Sequence, residues 1–119
     1  MFDHITLNVR DLAESRRFYE KALAPLGYSV ATEWETGVGL GAKGFIDLWL
    51  RQEGEPTGTC HVALRAKDRA SVDAFHRAAM EAGGRDNGAP GLRPQYHEQY
   101  YGAFVLDPDG VNLEAVCHS

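Results

Sequence analysis

The chain repeats itself at an offset of 57 residues, and this duplication restricts the possible folds more than any other feature. Residues 4–27 align without a gap on residues 61–84, and seven of the 24 aligned positions are identical. Roughly one or two identities are expected at ordinary amino-acid composition. A polar His and a polar Asp hold the same two places in each copy, which chance similarity of two amphipathic segments does not explain. We therefore interpret the chain as two copies of one unit.

The first copy has the pattern of one strand, one helix and three more strands. Ile5, Leu7 and Val9 alternate with polar residues, which is typical of a half-buried strand. Asp11 is placed to cap a helix whose apolar residues recur at helical spacing. Further strands are predicted over 28–35, 38–40 and 45–51, separated by glycine-containing turns.

The second copy begins in the same way, with a predicted strand over 60–66 and a helix capped by Asp68. Residues 85–99 contain two Gly and two Pro and show no periodicity, so we predict an irregular segment, with 88–101 as the rim of a cleft. Strands follow over 100–106 and 111–118, joined by a Pro- and Gly-containing turn.

The predicted fold is therefore one α+β domain over residues 1–119. It consists of tandem βαβββ modules, over 1–55 and 58–119, that form a curved mixed sheet with the helices on its outer face.

Composition removes several classes of function. The 119 residues are 44% hydrophobic and 24% charged, which suits one globular domain with a core of its own. The formal charge of −5, without a Lys/Arg cluster, argues against nucleic-acid binding, and no apolar run reaches the ~20 residues that a membrane helix needs. Two cysteines and an amino terminus that lacks the pattern of a secretion signal favour a cytoplasmic protein with reduced thiols.

Strand alternation places four candidate metal ligands on one face of the predicted sheet. In each strand the apolar residues cover the helix, so the alternate residues lie on the opposite, helix-free face. On that face four strands each contribute one side chain able to bind a metal: His4, Asp47, His61 and Glu114. Two imidazoles with a carboxylate suit a divalent metal that keeps open positions. The alternative at this point is that each His is simply a solvated residue at the start of a strand.

Three segments carry a resemblance to a known superfamily: His4-Ile-Thr-Leu-Asn-Val-Arg-Asp-Leu leading into Phe18-Tyr19, Cys60-His-Val-Ala-Leu, and Asp107-Pro-Asp-Gly-Val-Asn-Leu-Glu114. Over essentially its whole length the chain resembles the vicinal oxygen chelate superfamily. This superfamily includes glyoxalase I, extradiol dioxygenases, fosfomycin-resistance proteins and bleomycin-binding proteins.

The resemblance implies a metal site with His4, His61 and Glu114 as ligands and Zn, Ni, Fe or Mn as the ion. Glyoxalase I-like members have a Glu where this chain has Asp47, whose shorter side chain either ligates through a water or supports a ligand. The implied activity is that of a glyoxalase-type lyase or isomerase on a small molecule, with Glu114 as the catalytic base. The alternatives are an extradiol-type dioxygenase and a metal-free binding protein of the bleomycin-resistance type.

Other residues are expected around the cleft. His97 and Tyr101 are candidate catalytic residues. For His97 the alternative is a solvated loop residue. Because side chains alternate along a strand, only one of Tyr100 and Tyr101 is expected to face the cleft. The residues predicted to contact the substrate are Trp49, Arg51, Arg65 and Tyr100. For Trp49 the alternative is a contact between the chains of a dimer. The resemblance also implies a homodimer.

Overall fold

The structure, a computed structural model that describes residues 1–119, contains the predicted order of one strand, one helix and three strands twice. The elements of the first half are β1 (Ile5–Asn8), α1 (Leu12–Leu23), β2 (Ser29–Trp34), β3 (Gly37–Ala42) and β4 (Phe45–Arg51), with a 3₁₀ turn over Ala24–Leu26. Those of the second half are β5 (His61–Arg65), α2 (Arg69–Glu81), β6 (Arg85–Leu92), β7 (Tyr101–Leu106) and β8 (Asn112–Cys117). The predicted α+β class is confirmed.

The eight strands form two four-stranded mixed sheets, one in each half. Their orders are β1-β4-β3-β2 and β5-β8-β7-β6, so the two sheets have the same topology. In each sheet the first strand pairs with the last in parallel, and the other pairs are antiparallel. The first strand of each half therefore lies at the edge of its sheet, beside the strand that carries a candidate carboxylate. The candidate His4 directly precedes β1, and His61 is the first residue of β5.

The helices begin and pack as their sequences predict. Asp11 accepts a hydrogen bond from the backbone N–H of Glu14 at 3.2 Å, and Asp68 accepts one from Ser71 at 2.8 Å. These contacts satisfy donors that a helix amino terminus otherwise leaves free. The two helices pack against each other and against the sheets, where the buried side chains include Leu7, Val9, Leu48, Leu50 and Leu113. Neither helix has the length and apolar character needed to cross a membrane.

The prediction of an irregular segment over 85–99 is wrong for its first part. Arg85–Leu92 forms β6, an edge strand that pairs antiparallel with β7. The pairing shifts register on both sides of Gly88, whose φ of +149° is a backbone conformation that other residues rarely adopt. These irregularities break the alternation of side chains, and only residues 93–100 remain as a turn beside the site.

Candidate functional site

An open pocket of about 390 Å³ lies where the first strands of the two halves approach each other. The first half contributes residues at the start of β1 and from β4, and the second half contributes residues of β5. The nine lining residues are Phe2, Asp3, His4, Ile5, Asp47, His61, Val62, Ala63 and Leu64. Three of the four candidate metal ligands therefore line one pocket that neither half forms alone.

The fourth candidate, Glu114, contacts the pocket through His61. Its strand, β8, lies between β5 and β7, and Glu114 is paired with Ala63, two residues beyond His61 on the same strand face. The Glu114 side chain is 0% exposed, whereas that of His61 is 52% exposed. Nε2 of His61 lies 2.6 Å from Oε1 of Glu114, a hydrogen bond in which the ring donates to the carboxylate. A fully buried acid is thus joined to a solvent-accessible imidazole.

Tyr100 and Gly102 lie next to Oε2, the second oxygen of the Glu114 carboxylate. The Tyr100 hydroxyl donates a hydrogen bond to Oε2, so both carboxylate oxygens have a partner. Burial, together with this bond and the negative charge, raises the pKa of Tyr100 and keeps the hydroxyl protonated. A Cβ on Gly102 would lie 3.1 Å from Oε2 of Glu114 and 3.2 Å from the Tyr100 ring. A glycine at this position therefore leaves the space in which the carboxylate and the phenol meet.

Asp47 has one satisfied and one unsatisfied oxygen. The Tyr28 hydroxyl donates to Oδ2 at 2.8 Å, and burial with this bond raises the pKa of Tyr28. Oδ1 of Asp47 is buried and has no hydrogen-bond partner. A buried carboxylate oxygen without a donor is unfavourable, so the position suits a bound cation. Tyr28 could not be identified from the sequence, because its contact depends on how the residue before β2 packs near β4.

His4 lies beside Asp3 and Trp49. Its Nδ1 is 2.6 Å from Oδ1 of Asp3, and its ring meets that of Trp49 edge to face with centroids 6.4 Å apart. Trp49 also packs against Trp34 at 5.8 Å. Asp3 directly precedes His4 in the sequence, and this adjacency could have indicated that Asp3 is the carboxylate partner of His4. Asp3 is not among the predicted site residues.

The candidate metal ligands lie in or beside one pocket but are not gathered around one point. No group of three or more His, Cys, Asp or Glu side chains lies close enough together to hold a metal ion. His61 and Glu114 are in contact, while His4 and Asp47 line the same pocket apart from them. In kind, however, the residues fit a divalent metal: they offer imidazole nitrogens, carboxylate oxygens and one buried oxygen without a partner.

The two predicted arginines lie in different surroundings. Nε of Arg51 donates to the side-chain oxygen of Asn8 at 3.2 Å, across the β1–β4 pair. Arg65, in contrast, does not line the His4 pocket but a second one, together with Lys43 and Lys67. Strand alternation alone therefore did not separate Arg65 from the residues that line the His4 pocket.

Neither Tyr101 nor His97 reaches the Glu114 carboxylate. The Tyr101 hydroxyl donates to Asp73 of α2 at 2.7 Å, so this ring lies on the helix side of the sheet. His97 Nδ1 accepts the backbone N–H of Gln99, and its ring packs against His118 with centroids 5.5 Å apart. Of the two neighbouring tyrosines, it is Tyr100 that contacts the candidate site.

Comparisons with known proteins agree with this architecture. A family model described as the Glyoxalase/Bleomycin resistance protein/Dioxygenase superfamily matches residues 1–115. The uncharacterized protein YqjT of Bacillus subtilis is 29% identical over 134 residues, which cover 98% of each chain. A glyoxalase/bleomycin resistance protein from Albidiferax ferrireducens matches in structure with a TM-score of 0.87 and 26% identity, covering 100% of this chain and 99% of that one. A glyoxalase-related enzyme from Fulvimarina pelagi has the same fold, with a TM-score of 0.77 at 20% identity over 98% of this chain and 87% of that one.

Proposed function

Because this chain belongs to the glyoxalase/bleomycin resistance protein/dioxygenase superfamily, we propose that it is a metal-dependent enzyme that acts on a small molecule as a glyoxalase-type lyase or isomerase. The observation that supports this most is the shared pocket. His4 and Asp47 from one half line it with His61 from the other, and His61 is hydrogen-bonded to the buried Glu114.

The proposed metal ligands are His4, His61 and Glu114, with Asp47 as a fourth ligand or a neighbour that supports one. Imidazole and carboxylate together suit Zn, Ni, Fe or Mn. When bound, such an ion acts as a Lewis acid that stabilises negative charge on two neighbouring oxygens of a substrate. The unpartnered Oδ1 of Asp47 supports a cation at this place.

Glu114 is the proposed base that moves a proton between adjacent substrate carbons. Its two oxygens are held by His61 and Tyr100, so the carboxylate is oriented before a substrate arrives. Because Glu114 is fully buried, a substrate approaches it past the half-exposed ring of His61. Trp49 is a proposed substrate contact, because its ring meets that of His4, which lines the pocket.

The proposal is tested by the metal content of protein purified without an affinity tag or chelator. We expect about one divalent ion per chain, as a single three-ligand site requires. His4→Ala and Glu114→Gln should each lose it, and the control His76→Ala should keep it, since His76 pairs with Asp86 away from the pocket. If both ligand variants retain the ion as wild type does, the assignment of ligands is wrong.

A second candidate function is a metal-free protein that sequesters a small molecule. It is favoured by the absence of a group of three donors and by a pocket in which five of nine lining residues are hydrophobic. Protein that takes up no ion when offered Zn, Ni, Fe and Mn separately would support this candidate over the enzyme.

The proposed assembly is a homodimer in the cytoplasm. Edge strands β2 and β6 expose large apolar side chains, Trp34 at 43% and Leu92 at 48%, which a partner would cover. Sedimentation equilibrium should give twice the 13.1 kDa chain mass, and Trp34→Glu should shift the population towards monomer.

A further inference from the structure

A second pocket of about 500 Å³ lies apart from the one that contains His4. Its walls come from the turn after α1, the β3–β4 turn, the end of β5 and the first turn of α2. The eight lining residues are Ala24, Pro25, Leu26, Gly27, Lys43, Arg65, Lys67 and Ser71. None of them lines the His4 pocket, so the two are separate sites.

Three exposed cations surround this second pocket and form no salt bridge. Lys43, Arg65 and Lys67 make no salt bridge or side-chain hydrogen bond, and no Asp or Glu is among the lining residues. Asp68, next to Lys67 in sequence, caps α2 by accepting the Ser71 N–H at 2.8 Å. Its hydrogen bonds with Ser71, followed by the charge of Lys67, lower the pKa of Asp68, but the two side chains form no salt bridge. In a chain with a net charge of −5, such a group of unpaired positive charges is a local exception.

The backbone at Lys43 gives an independent indication of function. Lys43 and Gly44 form the two-residue β3–β4 turn, with φ values of +53° and +83°. Such a turn favours Asn-Gly, because residues with a longer side chain are strained at positive φ. Lys43 is the one residue other than glycine with positive φ in the chain. A strained residue that also supplies an unpaired charge to a pocket indicates that the charge is used.

We propose that this second pocket binds a phosphate group of a small molecule. The guanidinium of Arg65 can donate two parallel hydrogen bonds to phosphate oxygens, and the two lysines supply point charges. Three unpaired cations match an anion that carries up to two negative charges better than a monoanion. This inference does not depend on the metal site, because the two pockets share no residue.

Calorimetric titration at constant ionic strength tests the proposal, with inorganic phosphate and glycerol phosphate as probes and malonate as a carboxylate comparison. Wild type should bind both phosphates more tightly than malonate. Lys43→Asn and Arg65→Gln should each weaken phosphate binding about tenfold, as expected for the loss of one charged hydrogen-bond donor. Lys43→Asn also replaces the strained residue by one suited to the turn, so loss of binding in this variant is not loss of fold.

Two further variants decide where phosphate binds. Lys21→Gln, on the exposed face of α1, removes the same charge outside the pocket and should bind as wild type does. His61→Gln should also bind phosphate normally. Loss of phosphate binding in His61→Gln with retention in Arg65→Gln would overturn the proposal. So would equal effects of Lys21→Gln and Lys43→Asn on phosphate binding. The proposal is also wrong if malonate binds as tightly as phosphate, or if wild type binds no phosphate at millimolar concentration.

Discussion

The hydroxyl of Tyr19 donates a hydrogen bond to Oδ2 of Asp107 at 2.6 Å, although the two residues are 88 positions apart. Both side chains are buried, and Oδ1 of Asp107 accepts the backbone N–H groups of Asp109 and Val111 at 2.8 Å. The contact joins α1 of the first half to the β7–β8 turn of the second. Together with the packing of α1 against α2, it therefore holds the two halves that form the pocket in their relative position.

Tyr19→Phe should lower the free energy of unfolding by about 2 kcal/mol, the typical cost of losing a hydrogen bond to a charged group while its partner remains buried. The change removes only the hydroxyl, so the packing of the ring against Phe18 is retained. Urea unfolding followed by circular dichroism measures the difference. The matched control is Tyr96→Phe, on an exposed side chain that makes no hydrogen bond through its hydroxyl, and its unfolding should match that of wild type.

Stability should fall as the pH rises above about 10. Burial, followed by the charge of Asp107, raises the pKa of Tyr19, and the hydrogen bond to Asp73 raises the pKa of Tyr101. Both hydroxyls ionise more readily in the unfolded chain, so their contribution is complete below the ordinary tyrosine pKa of 10.0 and is lost above it. The test is to measure the urea concentration at the midpoint of unfolding at several pH values between about 8 and 11, a range set around the ordinary pKa of tyrosine. The decline should be shallower in Tyr19→Phe, and an identical decline would contradict the assignment.

Asp47→Asn tests whether this carboxylate binds the proposed metal. The amide oxygen can still accept the Tyr28 hydroxyl, but the negative charge is lost, so we expect metal affinity to fall about tenfold or more. Tyr28→Phe is the matched control, because it removes the hydrogen bond and leaves the carboxylate. Competition with a chromogenic chelator measures both affinities. Unchanged affinity in Asp47→Asn would make Asp47 a neighbour of the site and not a ligand.

Gly102→Ala should disturb the Glu114 carboxylate more than the fold. The added methyl group would lie 3.1 Å from Oε2 and 3.2 Å from the Tyr100 ring, so one of the two must shift. We expect roughly 1–2 kcal/mol of destabilisation from overpacking and a measurable loss of metal affinity. Gly91→Ala is a suitable control, since the close contact of its methyl group is with the flexible end of Arg93 at 3.1 Å, and its contact with the Ala89 oxygen at 3.9 Å is ordinary. Normal metal binding by Gly102→Ala would show that the carboxylate position is not critical.

Much of the fold was predictable because its signals are local. The caps at Asp11 and Asp68 and the bounds of β4, Phe45–Arg51, follow from residues close together in sequence. β6 was missed because Gly88, Pro90 and Gly91 interrupt the alternation by which a strand is recognised, while pairing with β7 holds it in place.

For the candidate site, the strand face on which a residue lies was easier to predict from the sequence than the contacts that its side chain makes. Alternation placed Glu114 on the same face as His61, and the structure joins them. The same rule could not foresee that Arg65 belongs to a different pocket or that Tyr28 reaches Asp47, because those contacts depend on how distant segments pack.

The division of the pocket between two similar halves has an evolutionary consequence. Each half contains its own sheet and helix, yet the pocket takes His4 from one and His61 from the other. A half-length ancestor would have made such a pocket only by associating with a second copy of itself, and therefore only at sufficient concentration. In one chain that encounter is intramolecular, and its effective concentration is fixed by the connector between the halves. Within one chain, equivalent positions of the two halves can differ, as Trp49, paired with Thr6, and Glu114, paired with Ala63, illustrate.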